Sequence, residues 1–153
     1  APFTIMYDSW KAHSRALLPL SPEDSRRKAE VILGKVLSNR KPPYSISGGL
    51  FDVLEKSHGD MFKISNDEIV YWVVQYFNLE GYDIFPAAAC TVASLKHALE
   101  EGIVKHDETV MLNITGGGLL SATRKGYILK EPDLILSPDQ PAEEIIMAVD
   151  SLF

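Results

Sequence analysis

Val110-Met111-Leu112-Asn113-Ile114-Thr115-Gly116-Gly117-Gly118 is the stretch on which the reading of this chain turns. An apolar run stops abruptly at a threonine and three glycines. A short apolar run bounded by turn signals predicts a strand over Thr109–Ile114, buried on both faces. The glycines free the backbone for positive φ and for close approach to a ligand. In open α/β sheets, ligands sit just beyond the carboxyl ends of strands. The stretch therefore predicts that Thr115 presents its hydroxyl at the mouth of a site. The alternative is a glycine turn with no ligand.

Most of the remaining chain carries helical periodicity. Met6, Trp10, His13 and Leu17 share one helix face, and Pro19 stops that helix. Ser21-Pro22-Glu23-Asp24 is a helix start, with Ala29, Ile32, Leu33 and Val36 as the apolar stripe behind it. Ser38 to Ser47, with Pro42-Pro43, reads as a loop. A short helix follows Gly48-Gly49, carries Leu50, Val53 and Leu54, and ends near Gly59. Ser65-Asn66-Asp67-Glu68 is a capping box opening a helix with Ile69, Val70, Val73, Val74 and Phe77 on one face, closed by Gly81. Pro86 opens an alanine-rich helix ended by Gly102, and Pro141 to Leu152 forms a last amphipathic helix. Met61–Ile64, Tyr127–Leu129 and Leu134–Leu136 are the only other strand candidates. One confident strand cannot make a sheet. Either the weak runs pair with it or its neighbours come from elsewhere. An unpaired apolar edge would favour self-association or an exposed apolar patch.

The chain has 153 residues, 46% of them apolar and 24% charged, which fits one ordinary globular domain. Its formal net charge of -6 disfavours nucleic acid and anionic membranes as general partners. Cys90 is the only cysteine, so there is no internal disulfide, and a reducing cytoplasm is expected. His13, His58, His97 and His106 form no metal-ligand spacing. The helical pattern begins almost at residue 1, as expected of a segment from a longer protein.

Several segments occur in an order that resembles one family. Ala1-Pro2-Phe3-Thr4 with Met6, Asp8 and Trp10, Glu80-Gly81-Tyr82-Asp83-Ile84-Phe85-Pro86-Ala87-Ala88-Ala89, and Asn113-Ile114-Thr115-Gly116-Gly117-Gly118 are similar to stretches of threonine-synthase-like enzymes. Ser38-Asn39-Arg40-Lys41-Pro42-Pro43-Tyr44 and Gly48-Gly49-Leu50-Phe51-Asp52 narrow the resemblance to the branch that makes L-cysteate from O-phosphoserine and sulfite, on the way to coenzyme M. These are fold-type-II pyridoxal phosphate enzymes. The resemblance implies an α/β fold, this chain being the helix-rich C-terminal part of the large domain, a sheet with helices on both faces. It implies one C-terminal segment of a larger two-domain, homo-oligomeric enzyme. The Schiff-base lysine and the phosphate-binding glycine loop would lie upstream, leaving the segment inactive by itself.

On the same resemblance, Thr115 and Gly116 contact the cofactor, with the Thr115 hydroxyl on the pyridine nitrogen. A neutral hydroxyl there leaves that nitrogen largely unprotonated, a weaker electron sink than a carboxylate would give and one suited to β-replacement. Arg40 is the candidate for binding the phosphate of the phosphoamino acid or the sulfite, its planar fork matching an oxyanion. Gly117 stands where many relatives carry His, which makes threonine synthase, acting on O-phosphohomoserine, the less favoured alternative. A stand-alone α/β module whose glycines cradle a phosphate is the alternative of another class. Ser94-Leu95-Lys96 superficially matches the Ser-x-Lys of the cofactor lysine, but it lies inside an amphipathic helix, so Lys96 reads as solvated. Arg26-Arg27-Lys28, Lys41 and Arg124-Lys125 read as surface charge. Cys90 reads as a small buried residue.

Overall fold

The computed structural model describes residues 4–39, 41–128, 130–137 and 139–153. Among these it contains α1 (Ile5–Lys11), α2 (Pro22–Val31), a 3-10 turn (Lys35–Leu37), α3 (Leu50–Ser57), α4 (Asn66–Glu80), α5 (Pro86–Glu100), α6 (Leu119–Arg124) and α7 (Ala142–Asp150). The chain divides into a unit ending at Ser121 and a second unit, Ala122–Phe153. No described helix is long and apolar enough to cross a membrane.

The predicted α/β sheet does not form: the described residues contain no strand, only an isolated antiparallel bridge between Ile84 and Gly117. Thr109–Ile114 is irregular, and Val110 and Met111 are 43% and 92% exposed. Met61–Ile64 and the described parts of Tyr127–Leu129 and Leu134–Leu136 are not strands either. A helix closes its hydrogen bonds within itself, whereas a strand exists only where a second backbone pairs with it. Apolar patterning supplied the side chains for a strand but could not supply the partner.

The core is made instead by α4 and α5. Ser65 caps α4 by accepting from the Glu68 N–H, and the Glu68 carboxylate accepts from the Ser65 N–H at 2.8 Å, so the predicted capping box is complete. Gly81 closes α4 in the left-handed region. Ile69 from α4 meets Ala88, Ala89 and Ala93 from α5, with Ile64 and Ile84 completing the buried cluster. Alanines let the two helix axes approach closely, and this pair is the principal helix packing in the structure. The buried face differs from the expected stripe. Val70 and Val74 are 53% and 51% exposed, while Trp72, Val73 and Tyr76 pack on the core.

Around α1 and α3 lies a smaller aromatic cluster. Trp10 and Tyr44 each stack edge-on against Phe51. Tyr44 is fully buried and its hydroxyl donates to the Ser14 carbonyl at 3.0 Å. Arg15 pairs with Asp52 beside them, and that guanidinium with the Gly48 N–H holds the Asp52 carboxyl below its usual range. α1 ends at Lys11, earlier than the Pro19 stop, because His13 turns the backbone left-handed. α2 begins as expected at Ser21 but stops at Val31, so Ile32, Leu33 and Val36 lie outside it.

Candidate functional site

The last two motifs of the resemblance meet in space. The Phe85 N–H donates to the Gly116 carbonyl at 3.0 Å, and the Gly118 N–H donates to the Asp83 carbonyl at 2.8 Å. Asp83–Phe85 thus runs directly along Gly116–Gly118. The glycines are required by this contact. A Cβ on Gly117 would stand 2.2 Å from the Asp83 carbonyl oxygen and 2.7 Å from Ile84 Cα. A Cβ on Gly116 would stand 2.8 Å from the Phe85 ring. The close approach predicted from these glycines is therefore made by the protein's own backbone at Gly117.

Asp83 adds a second tie that sequence reasoning missed. Its carboxylate accepts from the Leu120 N–H at 3.1 Å and from the Ser121 N–H at 3.4 Å, capping the start of α6. Burial acts to raise the Asp83 carboxyl, but these N–H groups outweigh it and hold the group below its usual range. An aspartate followed 37 residues later by a glycine-to-helix turn carries no local signature, which is why it was not legible.

With the two segments joined, Thr115 and Gly116 face a cleft of about 350 Å³. The first turn of α5 (Pro86, Ala87, Ala88), Phe85 and the Leu33–Val36 segment form its other walls. Phe85 serves as the N-cap of α5 with extended backbone, so the free N–H groups of that helix lie in the same turn. Thr115 is exposed, and its hydroxyl pairs with no protein group among the described residues. Lys35 lines the cleft too, its ammonium donating to the Ala29 and Glu30 carbonyls at the end of α2. Lys35 was not singled out from the sequence, where it is one cation in an ordinary apolar pattern.

Two of the three sequence-derived site residues, Thr115 and Gly116, are thus adjacent in one cleft. The third, Arg40, lies outside the described residues. A neutral, unpaired hydroxyl beside an aromatic ring and a helix start fits the edge of a flat heteroaromatic group.

Several curated proteins are similar to this chain. Proteins called cysteate synthase from Methanosarcina acetivorans, Methanocella paludicola and Methanosarcina mazei are 38%, 38% and 42% identical to it over 147, 151 and 141 residues. The chain is cysteate-synthase-like over nearly its whole length. These matches cover 94%, 97% and 91% of it. The chain spans about a third of the cysteate synthases it matches, 34–35% of their length. No family model and no solved structure matches it.

The remaining expected groups take structural places. Lys96 is on the exposed face of α5, paired with Glu100. Cys90 is half-buried in α5, and burial pushes its thiol up, away from thiolate chemistry. His97 pairs with Glu68 across α4 and α5. Among the described residues no group of three or more His, Cys, Asp or Glu side chains is placed to hold a metal ion.

Proposed function

We propose that this chain is the C-terminal portion of a pyridoxal phosphate enzyme that makes L-cysteate from O-phosphoserine and sulfite, in the cytoplasm and within a homo-oligomer. The reading rests on similarity to cysteate synthases over nearly the whole chain. It gains support from the convergence of Thr115, Gly116 and the α5 start on one cleft. When bound, the cofactor supplies the electron sink that lets a phosphate leave the β-carbon of the substrate and sulfite take its place.

This chain's share of that work is binding and orientation. The Thr115 hydroxyl is the group that would meet the ring nitrogen, donating its proton and leaving the nitrogen without one of its own. Gly116 keeps the wall beside it free of a side chain, and Phe85 closes the other side. The hydroxyl is held at a fixed place because Gly116 and Gly118 are tied to Phe85 and Asp83. Arg40 is the candidate for holding the substrate's phosphate or the incoming sulfite.

The test uses the full-length enzyme that contains this chain. Formation of cysteate from O-phosphoserine and sulfite should be lost or sharply slowed in Thr115→Val, which keeps the shape and removes the hydroxyl. Cofactor affinity should fall by about 1–3 kcal/mol, the cost of one unpaired buried acceptor. Wild-type affinity and turnover in that variant would remove Thr115 from the ring.

A further inference from the structure

Phe85 stands where helix chemistry ordinarily puts a different residue. It is the N-cap of α5, yet its side chain caps nothing, and the first turn of α5 contains no acidic residue. Ser, Thr, Asp and Asn are the usual N-caps, because their oxygens satisfy free N–H groups of the first turn. Here Pro86 fixes the helix start instead, and the N–H groups of Ala87 and Ala88 are left without a side-chain cap. The Phe85 ring is 42% exposed rather than drawn into the core. It lies against Gly116, where a Cβ would come within 2.8 Å of it. An uncapped helix start and a half-exposed ring thus border the same cleft as Thr115.

Among the described residues lining that cleft none is acidic, and Lys35 is the only charged one. The carboxylate of Asp83, two residues before Phe85, is turned to the Leu120 and Ser121 N–H groups. The positive end of the α5 dipole is therefore uncompensated at this wall. A nitrogen that meets the Thr115 hydroxyl would lie beside partial positive charge and an aromatic ring, with no counter-ion. Both neighbours disfavour a proton on it. An aspartate at position 85 would reverse this, capping α5 and setting a carboxylate in the same wall.

We propose that Phe85 determines reaction specificity: by filling the N-cap of α5 with an uncharged side chain, it keeps the ring nitrogen beside Thr115 unprotonated and so holds the enzyme to β-replacement. The proposal rests on the reading of Thr115 as that nitrogen's partner. The missing cap is then the stability given up for a wall that must stay free of acid.

The test is the NMR shift of the ring nitrogen, followed against pH in the full-length enzyme loaded with isotopically labelled pyridoxal phosphate. In the wild-type enzyme and in Phe85→Asn the nitrogen should stay unprotonated near neutral pH. Phe85→Asp has nearly the shape of Phe85→Asn and adds a charge. It should raise the pH at which the nitrogen takes up a proton by about 1–3 pH units. Cysteate formation should be slower in Phe85→Asp than in Phe85→Asn. A protonated nitrogen in the wild-type enzyme, or equal protonation in the two variants, would overturn the proposal. Loss of cofactor from both variants would overturn it too, since Phe85 would then act by shape and not by charge. Thr115→Val keeps this inference distinct from the reading beneath it. A nitrogen that responds to Thr115→Val but not to Phe85→Asp removes the role of Phe85 alone. A nitrogen that responds to neither removes the ring from this cleft.

Discussion

The α4–α5 pair and the Thr109–Gly118 segment are both apolar, and they behave in opposite ways. α4 and α5 bring their own hydrogen bonds and matching small and branched faces, α4 with its capping box and α5 with its proline start, so a local pattern is enough to build them. Thr109–Gly118 brings apolar side chains and glycines but no partner for its backbone. Only Gly116 to Gly118 find one, in Asp83–Phe85. Helical structure is therefore robust to what surrounds it, and extended structure is not.

The sharpest way to break this comparison is at the backbone contact itself. Gly117→Ala places a Cβ inside the Asp83 carbonyl contact and imposes a side chain on a φ of +154°. Overpacking and strain together should cost about 3–5 kcal/mol. Thermal unfolding should show it, with faster hydrogen exchange at the Phe85 and Gly118 N–H groups. A silent Gly117→Ala would mean that the two segments do not touch as described.

On the helical side, Ile69→Ala removes a residue 2% exposed from the α4–α5 core and should cost roughly 2–4 kcal/mol by denaturant unfolding. Exchange at Gly118 should quicken as well, since Ile84, which bridges to Gly117, is packed in the same buried cluster as Ile69. Unchanged exchange there would separate the two regions into independent units.

A smaller effect comes from the cap that ties α4 to α5. Burial acts to raise the Glu68 carboxyl, but the Ser65 hydroxyl and N–H and the His97 ring outweigh it and lower the carboxyl to about 2. Because the folded value lies below the unfolded one, this stabilisation is present above about pH 4.5 and is lost as pH falls toward about 2. Glu68→Ala should cost about 1–2 kcal/mol near neutral pH. The difference from wild type should shrink across that acid range, as measured by urea unfolding at a series of pH values. A difference that stays constant with pH would remove the charge from the account.

The smallest expected effect is Lys96→Met, within about 0.5 kcal/mol, because its pair with Glu100 is exposed. Borohydride treatment of the chain with pyridoxal phosphate should label no single lysine stoichiometrically. Selective labelling of Lys96 would give it a chemical role that its helix position does not.

The sequence by itself determined the helices whose signals are local: the Ser21 and Ser65 caps, the Pro86 start and the Gly81 stop all stand where the residues placed them. It also carried the similarity to cysteate synthases, since residue order alone conveys it. The end of α1, the face α4 buries, the reach of Asp83 to α6 and the fate of Val110–Ile114 were decided only by tertiary structure. Each depends on a partner far along the chain, or on the lack of one. Three glycines in a row announce that something comes close. Only the folded chain shows that at Gly117 it is the carbonyl of Asp83.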